Sequence, residues 1–352
     1  MGDVVDVRSG KDYKHLSEGN IPVYGTGGFM LSVNQALSYD EDAIGIGRKG
    51  TIDKPYILKA PFWTVDTLFY AIPREKVDLN FAFDVFQNID WKKKDESTGV
   101  PSLSKTAINE IDVLVPQYDE QQPLGQFFNR IDNLITLHQR KYDKLTNVKK
   151  SMLEKMFPQN GSNAPEIRFK GFTEAWEQRK LSEIATMHAR IGWQNLRTSE
   201  FLDSGDYMLI TGTDFIDGAV NFDTCHYVER ERYEQDKHIQ IRNGSILITK
   251  DGTLGKVAYI QGLTMPATLN AGVFNVEIKD ENEVDNRYLF QYLKAPFLMD
   301  YVDKKATGGT IKHLNQNILV DFPVVLPHKA EQEKIGEYFL AIDHLITLHQ
   351  CE

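Results

Sequence analysis

The sequence predicts an α+β fold in which one unit, a strand-rich domain followed by a long helix, occurs twice. The segment at 131–139, IDNLITLHQ, returns at 342–350 as IDHLITLHQ, an offset of 211 positions. The same offset places Gly125 on Gly336. A fixed offset that extends beyond one motif indicates a duplicated unit, so we expect a pseudo-two-fold internal repeat.

The strand-rich parts are predicted from their turns and apolar runs. Glycine turns at 25–28 and 45–50 separate short strands, and the β-branched and aromatic run at 65–72 is typical of a half-buried strand. Asn80 is predicted to cap a short helix, since its side chain can accept hydrogen bonds from the first turn. The second copy repeats this mixture of strands and short helices, with Asn286 as the cap.

The two long helices are predicted from heptad spacing of apolar residues. Two equivalent apolar stripes bury most simply against each other, which predicts an antiparallel coiled coil. His138 and His349 share one seam position, and we interpret them as a buried, hydrogen-bonded pair rather than as metal ligands. The predicted seam of the first helix consists of Leu124, Ile131, His138, Leu145 and Met152 with Phe127, Leu134, Lys141, Val148 and Lys155.

Composition narrows the class of protein. The 352 residues carry a net charge of −10, which argues against a protein that binds nucleic acid by bulk electrostatics alone but leaves local basic loops open. Cys225 and Cys351 fit neither a metal spacing nor a disulfide framework. No apolar run approaches the roughly 18 residues of a membrane helix. We therefore expect a cytoplasmic protein.

Several motifs resemble one known family. Thr98-Gly99 is followed by an apolar strand that ends in Pro116, then by Glu120-Gln121 and the repeated IDNLITLHQ segment. Residues 169–172, FKGF, lead into WEQRKL at 176–181. This pattern resembles the specificity subunit of Type I restriction–modification systems. Two departures from it, a shorter first unit and a shorter second helix, leave the length of the helix pair open.

The resemblance implies an architecture and a function. It implies target-recognition domains at 1–118 and 166–328, a central repeat helix at 119–157, a linker at 158–165 and a C-terminal repeat helix at 329–352. A helix of about 38 residues is about 57 Å long, which corresponds to between one and two turns of B-DNA. The two helices would hold the domains at a set distance, so that each domain reads one half of a bipartite site.

The resemblance also implies partners. The chain would bind double-stranded DNA together with two adenine-methylating modification subunits and with restriction subunits. The chain itself would be non-catalytic and hold neither cofactor nor metal. S-adenosylmethionine, Mg²⁺ and ATP are expected in the partner subunits.

Candidate DNA contacts are cations and polar residues in loops. Two glycine-containing loops at equivalent places, 47–51 and 249–253, let the backbone approach DNA while Arg or Lys contacts phosphates or guanine edges. Lysine clusters and one polar, aromatic cluster supply further candidates. An ordinary charged turn or solvated helix end remains the alternative in each case. The predicted DNA-binding residues are Tyr24, Arg48, Lys49, Thr51, Lys54, Lys92, Lys93, Lys94, Arg190, Trp193, Asn195, Arg197, Lys250, Thr253, Lys256, Lys304, Lys305 and Lys312.

Two other functions remain open from the sequence. A coiled-coil scaffold with two protein-binding domains would show the same helices. A stand-alone nuclease would need an active site, and Asp251 with Glu277-Ile278-Lys279 resembles an Asp…Glu-x-Lys arrangement. Alternation of apolar and polar residues at 274–279 instead favours a half-exposed strand with solvated charges. No other catalytic motif is present.

Overall fold

The computed structural model describes residues 1–95, 97–158, 162–305 and 314–350, with the side chains of Trp193 and Gln350 excepted. The chain forms two compact units, Met1–His138 and Gln139–Glu352, which we call unit 1 and unit 2. In the described residues, no helix combines the length and apolarity that a membrane crossing requires.

Unit 1 contains two sheets and the start of a long helix. Its elements are β1 Val5–Ser9, β2 Glu18–Gly25, β3 Gly28–Val33, β4 Ala43–Gly47, β5 Tyr56–Leu58, β6 Trp63–Thr64, β7 Leu68–Pro73, α1 Leu79–Gln87, α2 Lys105–Asn109 and α3 Tyr118–Met156. One sheet has the antiparallel order β1-β7-β4-β5, and the other has the order β3-β2-β6 with β2 and β6 parallel. The first sheet packs its apolar face against α1, with Ile44, Phe69 and Phe86 in the core.

Unit 2 repeats this plan with additional elements. They are β8 Glu177–Lys180, α4 Leu181–Ile184, β9 Ala185–His188, β10 Met208–Ile210, β11 Phe215–Ile216, β12 Ala219–Val220, β13 His226–Tyr227, α5 Arg230–Glu234, β14 Gln240–Ile241, β15 Ile246–Thr249, β16 Val257–Tyr259, β17 Ala267–Leu269, β18 Val273–Ile278, α6 Asn286–Lys294, α7 Phe297–Lys305, α8 Gln316–Val320, β19 Pro323–Leu326 and α9 Lys329–Gln350. The antiparallel sheet β9-β18-β15-β16 corresponds to β1-β7-β4-β5. The sheet β13-β10-β17-β14 contains the parallel pair β10–β17, which corresponds to β2–β6. The α+β fold and the internal repeat are confirmed.

One joint attaches each long helix to its domain. In unit 1 the amide oxygen of Gln121 accepts from the Asp78 backbone N–H at 3.0 Å, and its amide nitrogen donates to the Pro116 carbonyl at 2.9 Å. In unit 2 Gln332 makes the same bonds, to the Asp285 N–H at 3.0 Å and the Pro327 carbonyl at 2.9 Å. Both glutamines are buried. A buried amide with a partner on each atom fixes the start of the long helix against the short one.

The same joint explains why glycine occurs at both Gly125 and Gly336. A Cβ on Gly125 would lie 2.5 Å from the Phe81 nitrogen, and one on Gly336 would lie 2.8 Å from the Tyr288 nitrogen. The long helix therefore touches the first turn of α1 or α6 at a position where only glycine fits. The Glu-Gln pair and the glycine recur at the same offset in the sequence because both copies build this joint.

Several local predictions are wrong. Asp78 caps α1, accepting from the Asn80 and Phe81 nitrogens, whereas Asn80 lies inside the helix. Asp285 likewise caps α6 in place of Asn286. The predicted strand at 65–72 begins only at Leu68, as β7, because residues 65–67 form the turn that follows β6. The carboxylate of the aspartate just before each helix accepts from backbone N–H groups of the first turn, two for Asp78 and one, that of Tyr288, for Asp285.

The predicted seam of the coiled coil needs correction. The second half of α3 packs in the unit 2 core through Met152, Leu153 and Met156, and the buried polar residue on this face is Lys149. Met152 is a predicted seam residue, whereas Lys149 and Met156 lie one position after the predicted Val148 and Lys155. The rings of Phe157 and Phe339 stack 5.9 Å apart, and Lys149 pairs with Asp343. Later residues of α9 meet earlier residues of α3, so the two helices run in opposite directions at this contact.

The first half of α3 presents its apolar stripe to solvent. Leu124, Phe128 and Leu134 are 37, 47 and 55% exposed. His138 and His349 are each half-buried, so their predicted burial is wrong.

Candidate nucleic-acid interface

Arg48 follows β4 and is held by both its backbone and its side chain. Its N–H donates to the Thr67 carbonyl at 2.8 Å, and its carbonyl accepts from the Leu103 N–H at 2.9 Å. Its guanidinium lies 5.7 Å from the centre of the buried Phe69 ring. The side chain is exposed, so a cation of fixed position lies at the end of the strand.

Lys250 has the same environment after β15. Its N–H donates to the Gly272 carbonyl at 2.9 Å, and its carbonyl accepts from the Leu314 N–H at 2.8 Å. Its ammonium lies 5.4 Å from the centre of the buried Phe274 ring. Each of these partners is the counterpart of one at Arg48, so the duplicated fold places one anchored cation on each domain.

The other loop residues surround these cations. Lys49, Thr51 and Lys54 are exposed in unit 1, as are Thr253 and Lys256 in unit 2. Gly50 has a φ of 96°, which a residue with a side chain rarely adopts. Tyr24 is half-buried in β2 and packs against the ring of Tyr56, so it lies in the domain structure as well as at its surface.

The lysine run 92–94 forms a separate turn, the 3₁₀ helix Trp91–Lys94, rather than the end of α1. Lys92 pairs with Asp53 at 2.8 Å and Lys93 with Asp90 at 3.0 Å. The hydrogen bond to Asp53 raises the pKa of Lys92. These carboxylates would compete with phosphates, which weakens the case for Lys92 and Lys93 as DNA contacts.

The corresponding lysines of unit 2 end α7. Lys304 and Lys305 are exposed, and the Lys305 ammonium lies 5.5 Å from the centre of the Tyr301 ring. Lys312, also predicted, lies outside the described residues.

The predicted DNA contact of Arg190 is wrong. Its side chain is only 1% exposed and donates to the Leu269 carbonyl at 2.9 Å and to the Gln235 amide oxygen at 3.0 Å. Burial, and then the neighbouring Arg232, lower the pKa of Arg190. This arginine fixes β17 inside the domain. Asn195 and Arg197 are exposed beyond it, and the Trp193 side chain is outside the described part of the structure.

The nuclease-like arrangement is not assembled. The Asp251 side chain lies beside Gly272, at the start of β18, whereas Glu277 lies five positions further along that strand. At about 3.3 Å per residue the two carboxylates are roughly 16 Å apart along the strand. Lys279 donates to the Ser182 carbonyl at 2.6 Å. These groups do not converge on one metal ion or phosphate.

The sequence did not predict the residues that hold the two cationic loops in place. Phe69 and Phe274 support the cations, and Leu103 and Leu314 fix the loop backbone. All four are apolar and buried, so they give no signal of binding on their own. Aligning the two copies of the repeat would have shown that Phe69 corresponds to Phe274 and Leu103 to Leu314.

Two mixed domains, each followed by a long helix and each carrying a cation over a buried phenylalanine ring, define a protein built from a duplicated unit. The model of the Type I restriction modification DNA specificity domain matches residues 1–147 and 173–352. The chain belongs to this family.

Known relatives and a solved structure agree with this assignment. The chain is 23% identical over 269 residues to the Type I restriction enzyme MjaVIII specificity subunit of Methanocaldococcus jannaschii, covering 74% of this chain and 62% of that protein. It is 24% identical over 255 residues to the putative type I restriction enzyme MjaX specificity subunit of the same organism, covering 71% and 57%. The chain thus spans about three fifths of the length of these relatives.

The fold is similar to that of the S subunit of a Type I restriction–modification system from M. genitalium. The TM-score is 0.71 at 14% sequence identity, over 99% of this chain and 89% of that one. Similarity at this identity concerns the fold, and it covers both units and the long helices.

Proposed function

We propose that this chain is the DNA sequence-specificity subunit of a Type I restriction–modification complex. Each strand-rich domain would read one half of a bipartite site in double-stranded DNA. The chain would be non-catalytic and act in the cytoplasm. Family membership favours this function over a scaffold with two protein-binding domains.

The observation that carries the proposal is the equivalence of Arg48 and Lys250. Both cations stand over a buried phenylalanine ring and between the same two backbone hydrogen bonds. A protein that recognises two half-sites needs one such contact per domain, whereas solvated surface charges have no reason to keep the same partners. Because one position carries arginine and the other lysine, the two domains would make different contacts: the planar guanidinium suits a bidentate contact better than the ammonium of lysine does.

The long helices would set the distance between the half-sites and dock the partner subunits. The opposite direction of α3 and α9 at the Phe157–Phe339 contact supports an antiparallel helix pair. The net charge of −10 means that partners would have to supply much of the phosphate neutralisation. Two modification subunits would bring S-adenosylmethionine, and restriction subunits would bring ATP and Mg²⁺ for cleavage.

The test uses the complete chain co-expressed with modification subunits, with methyladenine mapped by single-molecule sequencing. Arg48→Ala should relax recognition of one half-site, and Lys250→Ala should relax the other, each by about 5- to 100-fold in discrimination. Lys144→Ala, which removes an exposed cation from α3, should leave both half-sites unchanged.

Two outcomes would contradict the proposal. Arg48→Ala and Lys250→Ala would oppose the two-domain assignment if each relaxed both half-sites equally. A complex whose methylation does not depend on this chain would favour the scaffold function.

A further inference from the structure

A cluster of three metal-ligating side chains lies in unit 2, apart from the Lys250 loop. It contains His188 at the end of β9, His238 in the 3₁₀ helix Lys237–Ile239 and Glu277 in β18. Their ligand atoms all lie within 4.8 Å of one another. His238 and Glu277 are exposed and His188 is half-buried, so an ion could reach the cluster from solvent.

The backbone holds the three positions together. β9 and β18 are paired so that His188 stands opposite Asn275 and Thr186 stands opposite Glu277. In strands, alternate residues share a face, so His188 and Glu277 project from the same face of the sheet on neighbouring strands.

The third position is tied to this sheet by hydrogen bonds. The side chain of Asn275 donates to the His238 carbonyl at 3.0 Å, and the Asp236 carboxylate caps the short helix by accepting from the His238 N–H at 2.9 Å. The His188 and His238 rings stack with their centres 4.4 Å apart. The backbone therefore brings the two imidazoles together, and one ring must turn out of the stack for a nitrogen of each to face one ion.

We propose that His188, His238 and Glu277 form a binding site for one divalent transition-metal ion, with zinc the expected ion. Two imidazole nitrogens and one carboxylate oxygen are a ligand set that Zn²⁺ accepts, and a water molecule would complete a tetrahedral site. At metal–ligand bonds of about 2.1 Å, neighbouring ligand atoms lie about 3.4 Å apart. Closing the site from 4.8 Å requires movements of about 1 Å, which two exposed side chains can make by rotation.

The role of the ion would be to link the two four-stranded sheets of unit 2. His188 and Glu277 belong to β9-β18-β15-β16, whereas Lys237–Ile239 leads directly into β14 of the other sheet. At the matching strand position of unit 1, Arg8 of β1 pairs with Glu41 just before β4 at 3.3 Å. Because β1 and β4 belong to the same sheet, this ion pair is not a counterpart of the proposed link between sheets.

The experiment measures metal binding to the untagged full chain without DNA. Zinc is titrated against a chromophoric chelator, and Co²⁺ is used as a spectroscopic probe for ligand-field bands of a tetrahedral site. We expect one ion per chain and a rise in Tm with zinc. His238→Asn and Glu277→Gln should each weaken binding by at least ~10-fold, and both should abolish the rise in Tm.

His226→Asn is the matched control, because His226 is exposed in the same domain but packs against Phe201. It should leave stoichiometry and affinity unchanged. Circular dichroism and the metal-free Tm of each variant separate lost ligation from misfolding. Zinc affinity that is equal in the parent chain and in His238→Asn would overturn the proposal, as would less than one tenth of an ion per chain at micromolar zinc.

Discussion

Phe128 and Phe339 hold the same place in the repeated sequence, yet Phe128 is 47% exposed and Phe339 is 0% exposed. Ile131 and Ile342 differ in the same sense, at 37 and 7%. The joints that start the two helices are alike, so the helix sequence and its attachment do not explain the contrast. What differs is the neighbour: the face of α9 is covered by the second half of α3.

The charged residues beside Phe339 and Phe128 also differ between the two units. In unit 2 Asp343 pairs with Lys149, is 3.5 Å from the Lys294 ammonium and accepts from the Gln291 amide at 2.8 Å. Burial, and then Lys294, lower the pKa of Lys149 to about 8. Its ion pair with Asp343 thus offsets only part of the cost of burying this lysine.

Among the residues that the structure describes, no lysine or arginine pairs with the unit 1 counterparts of these groups. Asp132 corresponds to Asp343, and Asp84 stands where unit 2 has Gln291. Burial, followed by the charges of Asp132 and Asp78, raises the pKa of Asp84 to about 6. The unit 1 face thus combines an apolar stripe with two carboxylates. It is complementary to an apolar helix that carries one lysine, which is how the second half of α3 meets α9 in unit 2.

The largest expected effect is a difference in stability between alanine variants of the two equivalent phenylalanines. Phe339→Ala removes a fully buried ring and should destabilise unit 2 by about 3–5 kcal/mol. Phe128→Ala removes a half-exposed ring and should cost less than about 1 kcal/mol. Hydrogen exchange by mass spectrometry measures the two units separately, as opening free energies of α6 and α1 peptides.

Equal destabilisation by the two alanine variants would break the comparison, because it would mean that Phe128 is covered in solution. A loss confined to unit 2 supports it.

A second, smaller effect should be common to both units. Gly125→Ala and Gly336→Ala each place a methyl group within 3 Å of a backbone nitrogen, and the long helix must shift to accept it. We expect about 1–3 kcal/mol of destabilisation in each case, despite the better helix propensity of alanine. Gly27→Ala, with no atom within 4 Å of the added group, is the control.

Urea unfolding of the three glycine variants, with hydrogen exchange to assign the unit, measures this effect. A destabilised Gly336→Ala beside an unchanged Gly125→Ala would show that the joints are not equivalent.

The sequence predicted the repeat and its consequences well. The offset of 211 identified the helices, and the glutamine and glycine within it proved to be the joint. The heptad spacing did not predict correctly which residues of α3 are buried, because that depends on the helix that packs against them. The heptad pattern placed Val148 and Lys155 in the seam, but the contact is made one position later around Lys149, because α9 is covered inside the domain core rather than along a free coiled coil.

The candidate site was predictable in part. Arg48 and Lys250 could be paired by the repeat, and both reach the surface, Arg48 as an exposed and Lys250 as a half-buried side chain. Arg190 could not be sorted from them, because a buried arginine that satisfies backbone carbonyls has the same sequence signal as an exposed one. The convergence of His188, His238 and Glu277 depends on strand register, and no local spacing reveals it.

The smallest effect concerns the carboxylates of the unit 1 face. Asp84 has a raised pKa in the folded chain, about 6 against an ordinary 3.8. Between these values the folded chain keeps a proton that the unfolded chain has lost, so this group contributes stability at low pH that disappears as the pH rises through about 6.

Asp84→Asn removes that group, and the stability difference between the variant and the parent chain should change between pH 4 and 6.5. The change should favour the variant at the higher pH by less than about 1 kcal/mol, because the side chain is partly exposed and screened. Urea unfolding at half-unit pH steps measures it, with Gln35→Glu as a control that adds an exposed carboxylate outside this face. If a lysine-bearing helix covers this face in solution, as Lys149 covers Asp343, the pH dependence will be absent. A flat difference curve would therefore indicate that the two faces are equally occupied and that the contrast between Phe128 and Phe339 belongs to the isolated chain.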